Sequence, residues 1–397
     1  MNLDAWLDRE LTHAASAMQR SISATGIVKE RPGFGQTIRA AKGSVVASPV
    51  LGAYDPEPDY FFHWFRDSAV VMDALRMLFE MRIVGFEALA TLGEFIRFSL
   101  SLEQRRITPA KATPDFQKYL RDDAALARVT ASNVAGETRV NPDGTLDISK
   151  WARPQHDGPA LRALTLMRWQ RAATLDAGID AELAQLLRSD LAYTREHWRE
   201  PSFDLWEEES GRHYYTLRVA AAALEASGDR TGASEILREL DALPEDLDIA
   251  MILGVIHSGG DGPSHTVNDP RMHAVLDQLD AAFIKAYPIN QQRPAGRGPA
   301  LGRYVGDVYF DGGAWYVATL AAAEFCFRAA KGAKNARSWI ERGNAYLETV
   351  RAFTPASGDL SEQFDQVTGA QKSAKHLAWS YAAFVSCMAA RRRVDGA

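Results

Sequence analysis

The chain has 397 residues, of which 46% are hydrophobic and 24% charged, and its formal net charge at pH 7 is −6. This composition is typical of a globular protein with a large apolar core. The acidic balance and the lack of a Lys/Arg run argue against a nucleic-acid partner, and no apolar run approaches the length that spans a membrane. We therefore expect a small or neutral ligand.

The N-terminal stretch, MNLDAWLDRELTHAASAMQRS, reads as an amphipathic helix. It lacks the continuous apolar segment of a signal peptide, which predicts a cytoplasmic protein. A leader removed from a longer precursor is the alternative explanation.

Apolar residues recur at helical spacing along most of the chain. The pattern predicts eleven helices and a short twelfth at 246–257; the eleven cover 3–19, 67–81, 85–104, 158–177, 180–199, 213–227, 230–241, 269–285, 312–331, 333–351 and 376–392. Twelve helices with long loops favour an all-α fold, an (α/α)6 barrel of six helical hairpins. Cys326 and Cys387 each lie in an apolar helical run, which predicts unpaired core thiols.

Strand patterns are few and short. They cover 43–50 and 137–151, and Pro142, Asp143 and Gly144 supply turn chemistry in the second. Because no Pro- or Ser-rich linker divides the chain, we expect a single domain over 1–397.

The stretch Asp204 to Glu209, DLWEEE, places a Trp beside three consecutive carboxylates. Mutual repulsion and partial desolvation raise the pKa of one carboxyl in such a setting, as a general acid requires. The alternative is a solvated acidic helix start. A second carboxylate, Glu362 in SGDLSEQFDQVTG, favours catalysis, because glycoside hydrolysis uses two carboxyl groups drawn from distant parts of a chain.

Loops elsewhere carry residues suited to binding a sugar. Arg66 and Asp67 follow Tyr60 and Trp64 at a helix start, where an ion pair can hold vicinal hydroxyls; an N-cap Asp with a surface Arg is the alternative. Trp151 precedes a Pro-containing turn and is equally consistent with a core position. A third stretch, LGRYVGDVYFDGGAW, contains Arg303, Tyr309 and Trp315 among several glycines. Its aromatic rings can stack on a sugar while the arginine binds the rim of the sugar.

Three residues of one loop, His257, Asp261 and His265, invite a metal interpretation. Their spacing fits no ligand motif, so the loop is read as structural. No Gly-rich phosphate loop is present either. We expect no metal and no cofactor.

Six blocks of sequence occur together in one order. They are GSVVASPV, DYFFHWFRDS, WARPQHDGPALRA, DLWEE, RYVGDVYFDGGAW and SEQFDQVTGAQKSAKHLAWSYAA. The chain resembles the glucoamylases of glycoside hydrolase family 15, and the similarity runs from the N-terminal helix to nearly the last residue.

The resemblance implies an (α/α)6 barrel and an inverting exo-acting α-glucosidase that releases β-D-glucose. Glu207 matches the general acid and Glu362 the general base, which implies a carboxyl separation of about 6.5 to 9.5 Å. The other matched residues bind substrate or position water: Tyr60, Trp64, Arg66, Asp67, Trp151, Trp206, Glu208, Arg303, Trp315 and Gln363. A mildly acidic, bell-shaped pH profile is expected.

Departures from the family pattern concern substrate choice. The chain shows no starch-binding module, no linker to one and no N-terminal β-sandwich, so short soluble oligosaccharides are the expected substrates. Val305-Gly306 stands where starch-degrading relatives commonly carry Pro-Glu, and His63 and His156 also differ. The α-1,4 linkage is preferred; α-1,6 or trehalose specificity and a catalytically silent glucan-binding toroid remain open, as does the oligomeric state.

Overall fold

The structure is a computed structural model that describes residues 2–52, 57–108, 111–244, 246–259 and 264–395. Helices dominate these ranges. They are α1 Leu3–Gln19, α2 Phe65–Glu80, α3 Glu87–Ser101, α4 Asp123–Ala127, α5 Asp157–Ala172, α6 Ala177–His197, α7 Tyr214–Ser227, α8 Arg230–Ala242, α9 Ile249–Ser258, α10 Pro270–Ala286, α11 Pro288–Gln291, α12 Tyr316–Ala330, α13 Ala336–Phe353 and α14 Ala378–Asp395. Within the described ranges no helix combines the length and apolar character needed to cross a membrane.

Every predicted helix corresponds to an observed one, with boundaries that differ by a few residues. The short α4 and α11 were not predicted, because five and four residues are too few to show helical periodicity. The two cysteines, Cys326 in α12 and Cys387 in α14, are buried free thiols, which confirms that prediction.

The strands are short and form small antiparallel sheets. They are β1 Val28–Arg31, β2 Gln36–Arg39, β3 His63–Trp64, β4 Arg139–Val140, β5 Ser202–Phe203, β6 Ser210–Gly211, β7 Ala314–Trp315, β8 Gln363–Phe364 and β9 Gln371–Lys372. The pairs are β1–β2, β3–β4 and β5–β6, and β7, β8 and β9 form a three-stranded sheet in that order.

The strand prediction at 43–50 is wrong. Val45 forms an isolated bridge with Ile22, and the rest of the segment is a mostly buried loop. Its amides bind two different segments, since Val46 donates to the Ser21 carbonyl (2.9 Å) and Ala47 donates to the Phe62 carbonyl (3.0 Å). Burial of the loop, and not strand pairing, accounts for its apolar sequence.

The prediction at 137–151 holds in part. Two of its residues form β4, and single bridges join Val140 to Leu146 and Leu120 to Ser149 around the predicted turn. The β1–β2 hairpin was missed, because its sequence alternates weakly and carries several charges.

The chain forms two compact units. One comprises Gln19–Leu51 and Asp59–Arg238 and includes α2 to α7. Its α2 and α5 pack directly together: the Trp169 indole donates to the Met72 carbonyl (3.0 Å) and the Thr165 hydroxyl to the Ala69 carbonyl (3.1 Å). The buried Arg162 guanidinium of α5 donates two hydrogen bonds to the Asp190 carboxylate of α6, at 2.8 and 2.7 Å. Two apolar stripes at helical spacing thus bury each other.

The other unit comprises Met1–Met18, Gly52–Pro58 and Glu239–Ala397. Its centre is α12, in which all residues except Arg328 are buried. Helices α9, α13 and α14 pack against α12. Asp280 of α10 accepts hydrogen bonds from Arg342 (2.8 Å) and from the Tyr346 hydroxyl (2.5 Å) of α13.

Short strands lead directly into two of these buried helices. Strand β3 ends at Trp64 and α2 begins at the next residue; β7 ends at Trp315 and α12 begins at the next residue. Each junction fixes the direction of a tryptophan and of the first helical turn, which is where several candidate site residues lie.

Candidate active site

The stretch DLWEEE forms the tip of the β5–β6 hairpin and not the start of a helix. The Asp204 carboxylate fixes this tip by accepting from three backbone amides, those of Trp206 (3.2 Å), Glu208 (2.7 Å) and Glu209 (2.9 Å). Glu207 has φ +66°, in the left-handed region that non-glycine residues rarely adopt. Such strain is maintained where the surrounding structure requires one side-chain direction.

Three donors converge on the Glu207 carboxylate. Its Oε1 accepts from the Trp64 indole (2.8 Å) and from Nη2 of Arg66 (3.0 Å), and its Oε2 accepts from the Trp151 indole. The side chain is 10% exposed. Two indole N–H groups and a guanidinium therefore hold this carboxylate in one orientation.

The Arg66 guanidinium is buried among three carboxylates. It lies 3.0 Å from Glu207, 3.3 Å from Asp67 and 3.5 Å from Asp157. Burial raises the pKa of Asp67 and of Asp157 to about 6 each; the Arg66 charge opposes both shifts and the Glu207 charge adds to them. The cluster carries more negative than positive charge, so it takes up a proton in mildly acidic solution.

Asp157 was missed by the sequence analysis. It is the first residue of α5 and is 1% exposed. Its position could have indicated a role in the site. Asp157 lies at a helix start shortly after Trp151, as Asp67 lies at a helix start shortly after Trp64.

A second missed residue, Arg139, orders the aromatic wall. Its guanidinium carbon lies 3.6 Å from the Trp151 ring centroid and 4.8 Å from that of Trp64. Asp147 fixes it through Nε (2.9 Å). The ring of Tyr60 packs against Trp64, with 5.2 Å between centroids.

The remaining candidates of this unit lie on the hairpin tip. Trp206 is partly buried and Glu208 is exposed, directly on either side of Glu207. Side-chain contacts therefore join five predicted residues to the Glu207 carboxylate, directly or through one neighbour: Tyr60, Trp64, Arg66, Asp67 and Trp151. Trp206 and Glu208 adjoin Glu207 in the chain.

In the other unit, Glu362 immediately precedes β8 and is 3% exposed. Its amide donates to the Ala374 carbonyl (2.7 Å), and its carbonyl accepts from the Tyr316 amide (3.3 Å). The Ser373 hydroxyl donates to Oε2 of its carboxylate. Ser373 has φ +62°, so a second left-handed residue orients a contact to a candidate catalytic carboxylate.

Arg303 is held by a partner that the sequence analysis missed. Its Nε and Nη2 donate to the two oxygens of Asp307, at 2.8 and 2.5 Å. The guanidinium carbon lies 5.3 Å from the Tyr309 ring centroid and 5.2 Å from that of Trp315. Asp307 is four residues from Arg303, a spacing that could have indicated the pair.

Gln363 lies in β8 and is fully buried. Its side-chain oxygen accepts from the Gly313 amide (3.1 Å) and its Nε2 donates to the Tyr309 carbonyl (3.2 Å). These contacts fix the loop that carries Tyr309, and water positioning by Gln363 stays a prediction.

The loop considered for a metal makes structural contacts. His257 packs against Trp379, with 6.2 Å between ring centroids, and Nε2 of His265 lies 3.1 Å from the Asp241 carboxylate. Asp261 lies outside the described residues.

Comparison with known families gives a match over nearly the whole chain. The model described as "Glycosyl hydrolases family 15" matches residues 14–236, 236–342 and 336–389. Among similar curated proteins, a glucoamylase of Blastobotrys adeninivorans is 28% identical over 89% of this chain and 68% of its own length. A probable glucoamylase of Schizosaccharomyces pombe is 28% identical over 100% of this chain and 93% of its own length.

Solved structures share the fold. A Hormoconis resinae glucoamylase gives a TM-score of 0.78 at 27% identity and covers 98% of this chain and 74% of that one. A Saccharomycopsis fibuligera glucoamylase gives 0.79 at 22% identity, with 100% and 96% covered. These matches confirm the predicted fold class, an all-α (α/α)6 barrel with few short strands.

Proposed function

The chain belongs to family 15 of the glycosyl hydrolases, and from that premise we propose that it is an inverting, exo-acting α-glucosidase. It releases β-D-glucose from the non-reducing ends of α-1,4-linked malto-oligosaccharides. The observation that carries this proposal is the Glu207 carboxylate, held at a strained hairpin tip by two indoles and a guanidinium.

Glu207 acts as the general acid, and its contacts indicate which oxygen carries the proton. Each carboxyl oxygen has two lone pairs. Trp64 and Arg66 occupy both on Oε1, whereas Trp151 occupies one on Oε2. The transferred proton therefore sits on Oε2, which keeps a free lone pair.

Glu362 acts as the general base. The Ser373 hydroxyl donates to its Oε2, which favours the ionised form that a base requires. Glu362 removes a proton from a water molecule, whose oxygen attacks the anomeric carbon. The bond from that carbon to the glycosidic oxygen breaks, and Glu207 protonates the departing oxygen. The products are β-glucose and a chain one unit shorter.

The terminal glucose is held by charged side chains. Arg66 and Asp67 bind its hydroxyls on the buried side of Glu207, which makes the enzyme exo-acting. Arg303, oriented by Asp307, contributes a further donor beside the faces of Tyr309 and Trp315. Trp206, Glu208 and Gln363 support the neighbouring sugar and the water.

A second candidate keeps the same chemistry but acts on α-1,6 linkages or on trehalose. The feature that favours it is Val305, which is 50% exposed beside Gly306, where starch-degrading relatives commonly carry Pro-Glu. An apolar side chain at this loop removes a polar contact that a leaving-group sugar could otherwise use.

A proton NMR time course on maltose, isomaltose and trehalose tests both candidates. We expect β-glucose to appear first and maltose to decay fastest; α-glucose appearing first would refute inversion, and faster decay of isomaltose or trehalose would select the second candidate. Glu207→Gln and Glu362→Gln should each lose most turnover and remain folded. Glu209→Gln, on the same hairpin tip as Glu207, is the matched control and should keep its activity.

A further inference from the structure

The orientation of the Trp151 ring decides whether its indole N–H reaches Glu207. Trp151 lies between β4 and α5, outside the helices and strands, and is 43% exposed. Its backbone is therefore held by no helix or strand, and side-chain contacts must orient its ring. One such contact comes from Arg139, whose guanidinium carbon lies 3.6 Å from the ring centroid. A planar guanidinium stacked on an indole orients both groups.

Strand pairing places Arg139 among three aromatic rings. Strands β3 and β4 pair so that Trp64 lies opposite Arg139. Phe62 lies two residues before Trp64, a spacing that favours the same face of the chain. The Arg139 guanidinium carbon accordingly lies 4.0 Å from the Phe62 ring centroid and 4.8 Å from that of Trp64. Arg139 thus contacts both of the tryptophans that donate to Glu207.

A second guanidinium, that of Arg31 in β1, also stacks on Phe62. Its carbon lies 3.8 Å from the Phe62 ring centroid. Because two guanidinium groups this close to one centroid would overlap and repel on a single face, Arg31 and Arg139 must lie on opposite faces of the ring. The four side chains therefore form a column in the order Arg31, Phe62, Arg139, Trp151. Each guanidinium in the column is attracted by the negative face of an aromatic ring.

Buried carboxylates hold the two arginines of the column. Asp59 accepts from Nε of Arg31 (2.7 Å), and Asp147 accepts from Nε of Arg139 (2.9 Å). Nη1 of Arg31 also donates to the side-chain oxygen of Asn141 (2.7 Å). The side chains of both ion pairs are at most 5% exposed, so solvent screens these interactions little. Both guanidinium layers of the column are therefore anchored.

We propose that Arg31, Phe62 and Arg139 are positioning residues of the candidate active site. The column that they form fixes the Trp151 indole, and the indole N–H in turn holds the Glu207 carboxylate. This inference rests on the proposed function, which makes Glu207 the general acid. A hydrogen bond weakens steeply as its distance and angle depart from their optimum, so a displaced ring should impair proton transfer.

The first test replaces Arg139 with Lys, which keeps a cation beside Asp147 but lacks the planar group that stacks on an indole. The kcat on maltose should fall about tenfold, whereas kcat on α-glucosyl fluoride, whose leaving group needs no proton, should change little. Phe62→Leu removes the central ring and should act in the same direction. Arg162→Lys is the matched control: Arg162 is as buried as Arg139, is paired with one aspartate and is not part of the column. It should leave the ratio of the two kcat values unchanged.

A double variant distinguishes action through Trp151 from a general loosening of the fold. The indole N–H is already absent in Trp151→Phe, so adding Arg139→Lys should lower the ratio of kcat on maltose to kcat on α-glucosyl fluoride less than it does in the wild type. Losses that multiply in full would overturn the proposal. Equal losses on maltose and α-glucosyl fluoride in Arg139→Lys alone would overturn it too.

Indole N–H signals in NMR spectra of protein labelled with ¹⁵N-tryptophan need no turnover. Trp151→Phe identifies the Trp151 signal by its disappearance. Arg139→Lys and Phe62→Leu should shift this signal, and Arg162→Lys should leave it in place. A shifted signal in a protein that hydrolyses no α-glucoside would support the column and refute the proposed function. A signal that neither column variant moves would overturn the column, whether or not the wild type is active.

Discussion

Replacing Trp151 with Phe removes one N–H from Glu207 and keeps an aromatic ring over Arg139. In the proposed mechanism, Glu207 begins as a neutral acid and becomes a carboxylate as its proton moves to the leaving group. The indole N–H therefore stabilises the transition state more than the bound substrate, and its loss should lower kcat and not raise KM.

The magnitude follows from the environment of the carboxylate. A hydrogen bond to a charged group contributes about 1.5–3 kcal/mol. The Glu207 side chain is 10% exposed, so solvent screens the interaction little. At 1.36 kcal/mol per factor of ten, kcat on maltose should fall about 10- to 100-fold. Trp64→Phe, which removes a donor from Oε1, should give a loss of the same order.

The assay uses maltose and α-glucosyl fluoride. Fluoride leaves without taking a proton, so Trp151→Phe should reduce turnover of maltose far more than turnover of α-glucosyl fluoride. Equal losses on both substrates, or a higher KM with unchanged kcat, would refute the reasoning. Trp151 would then be a binding surface that does not act through Glu207.

Substitutions at three further positions test other features of the structure. Ser373→Ala removes the hydroxyl donor to Glu362 and should lower kcat on maltose about tenfold; an unchanged kcat would contradict the role of this contact. Burial raises the pKa of Glu10 from 4.5 to about 7, so stability from this group is full below pH 4.5 and is lost as the pH rises through 7. In urea unfolding, the wild type should lose up to about 3 kcal/mol between pH 5 and 8, and Glu10→Gln should not; parallel curves would refute this. Asp204→Ala should lower kcat, because it removes the acceptor that holds the hairpin tip. Asp204→Asn keeps one acceptor oxygen and should retain part of the wild-type kcat. Equal kcat values in the two variants would count against this role of Asp204.

The helical scaffold could be predicted because its signal is repeated over many residues. Helix α2 buries thirteen of its sixteen residues and α12 buries fourteen of fifteen, so each appears in the sequence as a long, mostly apolar stretch. The small sheets were harder to predict from the sequence, since a strand of two residues is too short to show alternation of apolar and polar residues. Segment 43–50 was predicted as a strand and is a loop. The loop is buried, and it is therefore as apolar as a strand would be.

Most residues of the candidate site were predicted from sequence motifs. The residues that were missed are those that contact the site only through the tertiary fold. Asp157 meets Arg66 across more than ninety positions of sequence, and Ser373 meets Glu362 through a residue with positive φ. Arg139 contacts Trp151, which is twelve residues away in the chain, and Trp64, which is seventy-five residues away. None of these pairings follows from local spacing, with the exception of Arg303 and Asp307.

The two carboxylates also differ in a way that the sequence does not contain. Glu207 receives a guanidinium and two indole donors in a cluster with an excess of carboxylates, whereas Glu362 receives a serine hydroxyl. The three donors around Glu207 stabilise the carboxylate that forms when the proposed acid gives its proton to the leaving group. The serine donor to Glu362 likewise stabilises a carboxylate, the form that the proposed base needs to take a proton from water. Both sets of donors favour an ionised carboxyl, so the proposed division into acid and base follows the match of each motif to the family and not the donors alone.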